Sequence, residues 1–229
     1  MNLIILYLAL FFIIVFLIIM YVKNSFYSPM FINKKMYFHS LNKKRAFTVL
    51  EKNFKRPLHG TKFTFNFWIY IDNAPENVCK TYSYNNFIPI FNMSNNEQFK
   101  LEINQHNNQL KLILGVAELK STIDTKYIHE FVILDKLPNE KWINVSINIE
   151  DKYIDVFKDG ILYNSFFSPS IIKFVIPADL KFVRNNDGFY GYLSKFRYFN
   201  KYIDYKRTRE LYDSNKSYPG SQDLFWWLK

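Results

Sequence analysis

Residues Lys62–Ile71 read KFTFNFWIYI, and Phe63, Phe65, Phe67, Ile69 and Ile71 alternate with Thr64, Asn66, Trp68 and Tyr70. Successive side chains on an extended backbone point to opposite faces, so this alternation means a strand with one apolar face. An amphipathic helix would repeat every 3.6 residues instead. The period returns in Trp142–Glu150 (WINVSINIE), where Ile143, Val145, Ile147 and Ile149 face one way and Asn144, Ser146 and Asn148 the other. A sheet with one apolar face needs a second layer over it.

The rest of the chain extends the pattern. Residues 98–104 (QFKLEIN) and Gln109–Gly115 (QLKLILG) alternate on either side of His106-Asn107-Asn108, which predicts a hairpin. Ile128–Leu134 is a further apolar run. Asp151-Lys152 turns the chain after Glu150, residues 153–157 run back, and Lys158-Asp159-Gly160 turns it again into 161–166. Asp-Gly favours that turn because both positions tolerate positive φ. Residues 180–184 and 189–199 close the strand series, and only 204–212 (DYKRTRELY) reads as helix. Many short strands at near-regular spacing predict an all-β sandwich or barrel. With 24 Phe and 17 Tyr the chain has the apolar mass for such a core and is not disordered. Its single cysteine, Cys79, excludes an internal disulfide.

Two features lie outside the β pattern. Residues 3–22 contain no charge, amide or proline. As a helix they would span about 30 Å, the thickness of a bilayer core. No Lys or Arg precedes the run and no small-residue cleavage site follows, so it reads as a transmembrane anchor rather than a signal peptide. Lys23, Lys34, Lys35, Lys43, Lys44 and Arg45 then carry six of the ten net positive charges, with no acid among residues 23–50. Such a cluster is attracted to anionic headgroups, or forms a solvated linker. Its side of the membrane is favoured as cytoplasmic by the positive-inside rule. The remaining excess is too small for a nucleic-acid stripe, so no nucleic acid partner is expected.

Three segments now stand in order: 63–71 (FTFNFWIYI), 137–160 (LPNEKWINVSINIEDKYIDVFKDG) and 188–212 (GFYGYLSKFRYFNKYIDYKRTRELY). Their order resembles the laminin-G-like branch of the concanavalin A-like lectin/glucanase superfamily. There an early strand carries an aromatic-Trp pair, here Phe67-Trp68. A later Trp, here Trp142, opens a hairpin pair ending in an Asp-Gly turn, here Asp159-Gly160. A closing G-x-[IL] strand, here Gly191-Tyr192-Leu193, precedes a short helix ending in Leu-Tyr, here Leu211-Tyr212. The resemblance spans 46–213 and implies a jelly-roll sandwich of two antiparallel sheets. With its anchor and its Asn/Lys/Ile-rich sequence, the chain is also similar to predicted proteins of large DNA viruses of algae and protists. The expected organisation is an anchor (1–22), a basic juxtamembrane linker (23–45), the sandwich (46–213) and an aromatic tail (214–229).

Glucanases of the superfamily place carboxylates at alternate positions on one strand, aimed into a cleft. Here Glu150, Asp151 and Asp155 do not share one strand face, and Glu102 stands alone. No nucleophile elbow, zinc-binding His pair or phosphate loop occurs. His39, His59, His106 and His129 are scattered, and Cys79 has no identifiable base. The chain is therefore not expected to be an enzyme. Related domains bind calcium through loop carboxylates; Asp72 and Asp187 stand at strand ends without a second acid, so no cofactor is expected.

Recognition remains. Asn66, Trp68, Tyr70, Asn144, Ser146 and Asn148 face away from the core and pair aromatics with amides, the composition of a glycan platform. Trp68 has a second use open to it, burial beneath a loop or terminal segment. Tyr82 and Tyr84 in the loop 73–86 are further contact candidates. The expected function is a membrane-tethered module for a glycan or protein partner; alternatives are a structural link between a membrane and a protein shell, or a degenerate glycosidase. Sequons at Asn92, Asn144 and Asn215 matter only for a lumenal domain. The tail 223–229 (DLFWWLK) is expected to dock beside residues 46–50, with the membrane interface as the rival place for Trp226 and Trp227.

Overall fold

The computed structural model describes residues 2–25, 30–32, 36–37, 47–57, 60–73, 86–93, 99–116, 128–172, 179–182 and 188–217. Within the first fifty, side chains are described at 7–19, 32 and 48–50. The elements are α1 (Asn2–Ser25), β1 (Met30–Ile32), β2 (Met36–Tyr37), β3 (Phe47–Val49), a 3-10 turn (Glu51–Asn53), β4 (Lys62–Ile71), β5 (Ile88–Met93), β6 (Phe99–Asn104) and β7 (Gln109–Gly115). There follow β8 (Ile128–Leu134), β9 (Trp142–Glu150), β10 (Tyr153–Lys158), β11 (Ile161–Phe167), β12 (Leu180–Phe182), β13 (Gly191–Phe199) and α2 (Tyr205–Asp213). Cys79, Tyr82, Tyr84, Asp187 and the aromatic tail fall outside the described residues.

The strands form two antiparallel sheets. One runs β1-β13-β4-β9-β10-β11, with β2 also on β13; the other runs β3-β12-β5-β6-β7-β8. Alternation decides which side chains meet. Phe63, Phe65, Phe67, Ile69 and Ile71 of β4 and Ile143, Val145, Ile147 and Ile149 of β9 are fully buried against Phe91, Phe99, Leu101, Leu112 and Leu114 of the opposite sheet. Aromatic rings fill the centre: Phe196 has ring centroids at 5.0 Å from Phe182, 5.3 Å from Phe91 and 5.6 Å from Phe65. Each such ring contributes roughly 1.5–3 kcal/mol by leaving water.

The turns follow their chemistry. Asp159 and Gly160 take φ of 52° and 74°, as the tight β10–β11 turn requires. Asp159 Oδ1 accepts from Asn144 N at 2.9 Å, tying the turn to β9. A Cβ on Gly160 would lie 2.9 Å from Tyr212 Cβ, so the turn also packs directly under α2.

Two features differ from the sequence expectation. Strand β5 (IPIFNM) shows no alternation in the sequence because Pro89 breaks the pattern; the pairing with β6 shifts between Pro89 and Phe91, a bulge that accommodates a residue without an N–H. The stretch 23–45 is more than linker, since β1 and β2 pair with β13 and Ile32 joins the core. Helix α1 covers the apolar run, and its described side chains at 7–19 are nearly all exposed. Among the described residues no helix is long and apolar enough to cross a membrane.

Candidate functional site

The outward face of β4 and β9 is covered, which corrects the open platform expected there. The chain after β13 folds back across it as residues 200–204 and α2. Trp68 is 2% exposed and stacks on Tyr212 of α2 at 5.7 Å, with Arg209 on that tyrosine's ring at 5.3 Å. Asn66, Asn144, Ser146 and Asn148 are buried. Asn66 Nδ2 donates to Asn144 Oδ1 at 3.1 Å and to Ser146 Oγ at 2.7 Å, and Asn144 Nδ2 donates to the Phe67 carbonyl. Asn148 Nδ2 donates to the Ile203 carbonyl, and Thr64 Oγ1 donates to Lys201 O while accepting from Ile203 N. The amides thus bond neighbouring strands and the returning chain, because buried polar groups need partners. Burial also removes Asn144 from reach as a glycosylation site in the folded domain.

Tyr70 differs from those five. It is half-buried at the end of β4, in register with Trp142 of β9 on one side and Tyr192 of β13 on the other. The ring centroids are 5.4 Å and 5.8 Å away, so three half-buried aromatics form a row across three strands. Beside it runs a polar rim. Asn73 Nδ2 donates to Glu140 Oε1 at 2.6 Å, Asn139 Nδ2 to Asn73 Oδ1 at 3.1 Å and Asn108 Nδ2 to Asn139 Oδ1 at 2.7 Å. Burial, with Asp72 and Glu140 close by, raises the Tyr70 pKa above its ordinary value.

A second open surface lies at the far edge of the same sheet. Strand β11 (ILYNSFF) carries no charge and no proline, and it is hydrogen-bonded only to β10 among the described residues. Ile161 is 57% exposed, Leu162 48%, Tyr163 46% and Phe167 57%, with Tyr153 of β10 at 57%. Tyr153 and Phe167 lie in contact at 5.3 Å. Asp155, between them and α2, accepts from Ser165 Oγ and from Tyr202 OH at 2.8 Å. Burial, then the bond to Asp155, pushes the Tyr202 pKa up to about 12. Sequence reasoning placed 161–166 as a strand but not as an edge, which depends on where distant β13 inserts.

The carboxylates are separately engaged. Glu150 pairs with Lys62, and Asp151 accepts from Thr61 N at 3.1 Å. Glu102 is buried on the other sheet between Lys100 at 2.6 Å and Lys111 at 3.1 Å. Asp72 Oδ1 accepts from Asn73 N. Among the described residues no group of three His, Cys, Asp or Glu side chains could hold a metal ion.

No family model matches the chain, and no curated protein does. Solved structures do. The receptor binding domain of botulinum neurotoxin D is 17% identical with a TM-score of 0.57, over 83% of this chain and 48% of that one. The type G receptor binding domain is 16% identical with a TM-score of 0.55, over 83% and 46%. The binding domain of botulinum neurotoxin DC, in complex with rat synaptotagmin II, is 16% identical with a TM-score of 0.54, over 82% and 46%. The chain therefore spans about half the length of each. At this identity the likeness is one of fold: a sandwich of two antiparallel sheets.

Proposed function

We propose that the chain is a non-catalytic, membrane-tethered recognition module, built on a laminin-G-like sandwich, that takes up an extended apolar segment of a partner protein along β11. The observation that carries this is the uncharged, apolar edge, paired on one side only among the described residues. Natural sheet edges are normally blunted by charge, proline or a cover, because their free N–H and C=O groups pair with any strand that arrives. Strand addition at such an edge takes affinity from the backbone and specificity from alternate side chains. The likeness to receptor binding domains supports a binding role through the fold. The twenty-residue apolar run supports the tether, and the flanking lysines favour a cytoplasmic sandwich.

The test is photo-crosslinking from position 163 in the full chain in its membrane, followed by affinity measurement with the purified partner. Leu162→Asp and Phe167→Ala are expected to weaken binding about tenfold or more, as central apolar contacts do, while Tyr70→Ala leaves it unchanged. Crosslinks only between copies of this chain would overturn the reading.

The aromatic row favours a second reading, a glycan ligand. Sugar rings stack on aromatic faces while amides and carboxylates bond hydroxyls, and Trp142, Tyr70 and Tyr192 stand beside such a rim. That reading predicts glycan-array binding lost in Tyr70→Ala and Trp142→Ala, and a sandwich on the non-cytoplasmic side. Protease protection of the sandwich in sealed vesicles separates the two.

A further inference from the structure

The three aromatics at the end of β4 are drawn together more tightly than their strands require. Tyr192, Tyr70 and Trp142 belong to three adjacent strands, so the outer two would stand two strand spacings apart, about 9.6 Å. Their ring centroids are 6.4 Å apart. The outer rings therefore lean toward each other, and the three centroids make a nearly equilateral triangle with sides of 5.4, 5.8 and 6.4 Å. The ring planes meet at 52°, 70° and 45°, so no two of them are stacked. A point above the triangle lies within about 6 Å of all three centroids, the reach of cation–π attraction. All three residues are half-buried, and partial desolvation strengthens that attraction.

Two carboxylates adjoin the triangle. Asp72 is two residues past Tyr70, and Glu140 is two before Trp142. Glu140 N donates to the Ile71 carbonyl at 2.8 Å, which holds Glu140 at the end of β4. Asn73 links the two acids: its N donates to Asp72 Oδ1 at 3.0 Å and its Nδ2 to Glu140 Oε1 at 2.6 Å. Both charges bear on the Tyr70 hydroxyl. Among the described residues no lysine or arginine forms an ion pair with either acid, exposed Lys141 included. The strand ends beneath are fixed. Asp72 N donates to the Tyr190 carbonyl at 2.9 Å, Gln105 Nε2 donates to the same carbonyl at 2.9 Å, and Gln105 Oε1 accepts from Tyr190 N at 2.9 Å. Groups held in place before a ligand arrives lower the ordering cost of binding it.

We infer that Tyr70, Trp142 and Tyr192, with Asp72 and Glu140, form a binding site for a small organic cation bearing an alkylated ammonium group, of the choline type. Its methyl groups bury against the rings, whose quadrupoles attract its charge, and the two carboxylates add Coulomb attraction from the side. A flat sugar ring stacks on one ring plane at a time, and the inclination of these three suits a compact, rounded cation better. The site uses the same aromatic cluster as the glycan reading above but does not rest on a glycan ligand.

The experiment follows thermal unfolding of the full chain in micelles of an uncharged polyoxyethylene detergent, with choline chloride against sodium chloride at matched ionic strength. A ligand of the native state raises the melting temperature, so choline is expected to raise it above the sodium value. The neutral carbon analogue of choline, 3,3-dimethyl-1-butanol, is expected to give no rise. Trp142→Leu is expected to weaken the apparent affinity for choline about tenfold, as loss of a partly desolvated cation–π contact does. Glu140→Gln is expected to weaken it about two- to fivefold, the range of an exposed charge pair. Glu140 is exposed, so its variant answers the question if Trp142→Leu does not fold. No choline-specific rise, an equal rise with the neutral analogue, or a rise that either variant keeps in full overturns the site. Glycan-array binding is scored separately. Glycan binding without a choline response overturns the cation site and leaves the glycan reading standing; a choline response without glycan binding does the reverse.

Discussion

Trp68 packs between its own sheet and Tyr212, and its Nε1 is buried without an acceptor among the described residues. Its value is therefore in ring contact and not in its N–H. Trp68→Ala is expected to destabilise the domain by about 3–5 kcal/mol, as deletion of a buried aromatic does. Trp68→Phe keeps a ring against Tyr212 and removes an unpaired donor, so its cost is expected to stay under about 1.5 kcal/mol. Urea unfolding of both variants checks the ordering; equal losses would mean that the indole N–H matters. The sequence made these side chains legible only in part. Alternation correctly put Asn66, Trp68, Asn144, Ser146 and Asn148 on the outward face, but alternation does not say whether water or protein lies over that face. The cover comes from residues 200–213, far along the chain, and only Tyr70, beyond its reach, stays half open.

At the level of elements, α2 is held by what leads into it as much as by its own apolar side. Leu211 packs with Ile203 and Phe199, while Tyr202 ties the leading segment to β10 through Asp155. The Tyr202 pKa is raised in the folded state, so the folded chain keeps this proton where the unfolded chain has lost it. The resulting stability is fully present below the ordinary tyrosine pKa of about 10 and is lost as pH rises toward about 12. The melting temperature is expected to fall across that window and to fall less steeply in Tyr202→Phe. Parallel curves for the two proteins would show that the hydroxyl contributes nothing there. The α2 boundaries were readable because Asp204 is a helix-capping residue before a polar run. Strands β4, β9 and β13 were readable from period two. Strand β5 was hidden by Pro89, and β1, β2 and β3 are too short, at two or three residues each, to show a period at all.

For the molecule as a whole, deletion of residues 1–22 is expected to release a folded β domain, since β1 begins at Met30 and every core residue follows it. Circular dichroism lacking a β signal in that product would show that the apolar run is needed for folding. The sandwich carries a further consequence for its own synthesis. Strand β13 inserts between β4 on one side and β1 and β2 on the other. The hairpins β6–β7 and β9–β10–β11 pair from contiguous sequence and form as soon as they leave the ribosome, but β4 waits with one edge open for a partner translated more than a hundred residues later. A nascent chain interrupted before Gly191 would therefore be no smaller working domain. It would carry an unpaired aromatic strand, the kind of edge that chaperones shield and that aggregation exploits, so the first sheet of each copy stays vulnerable until β13 has been made.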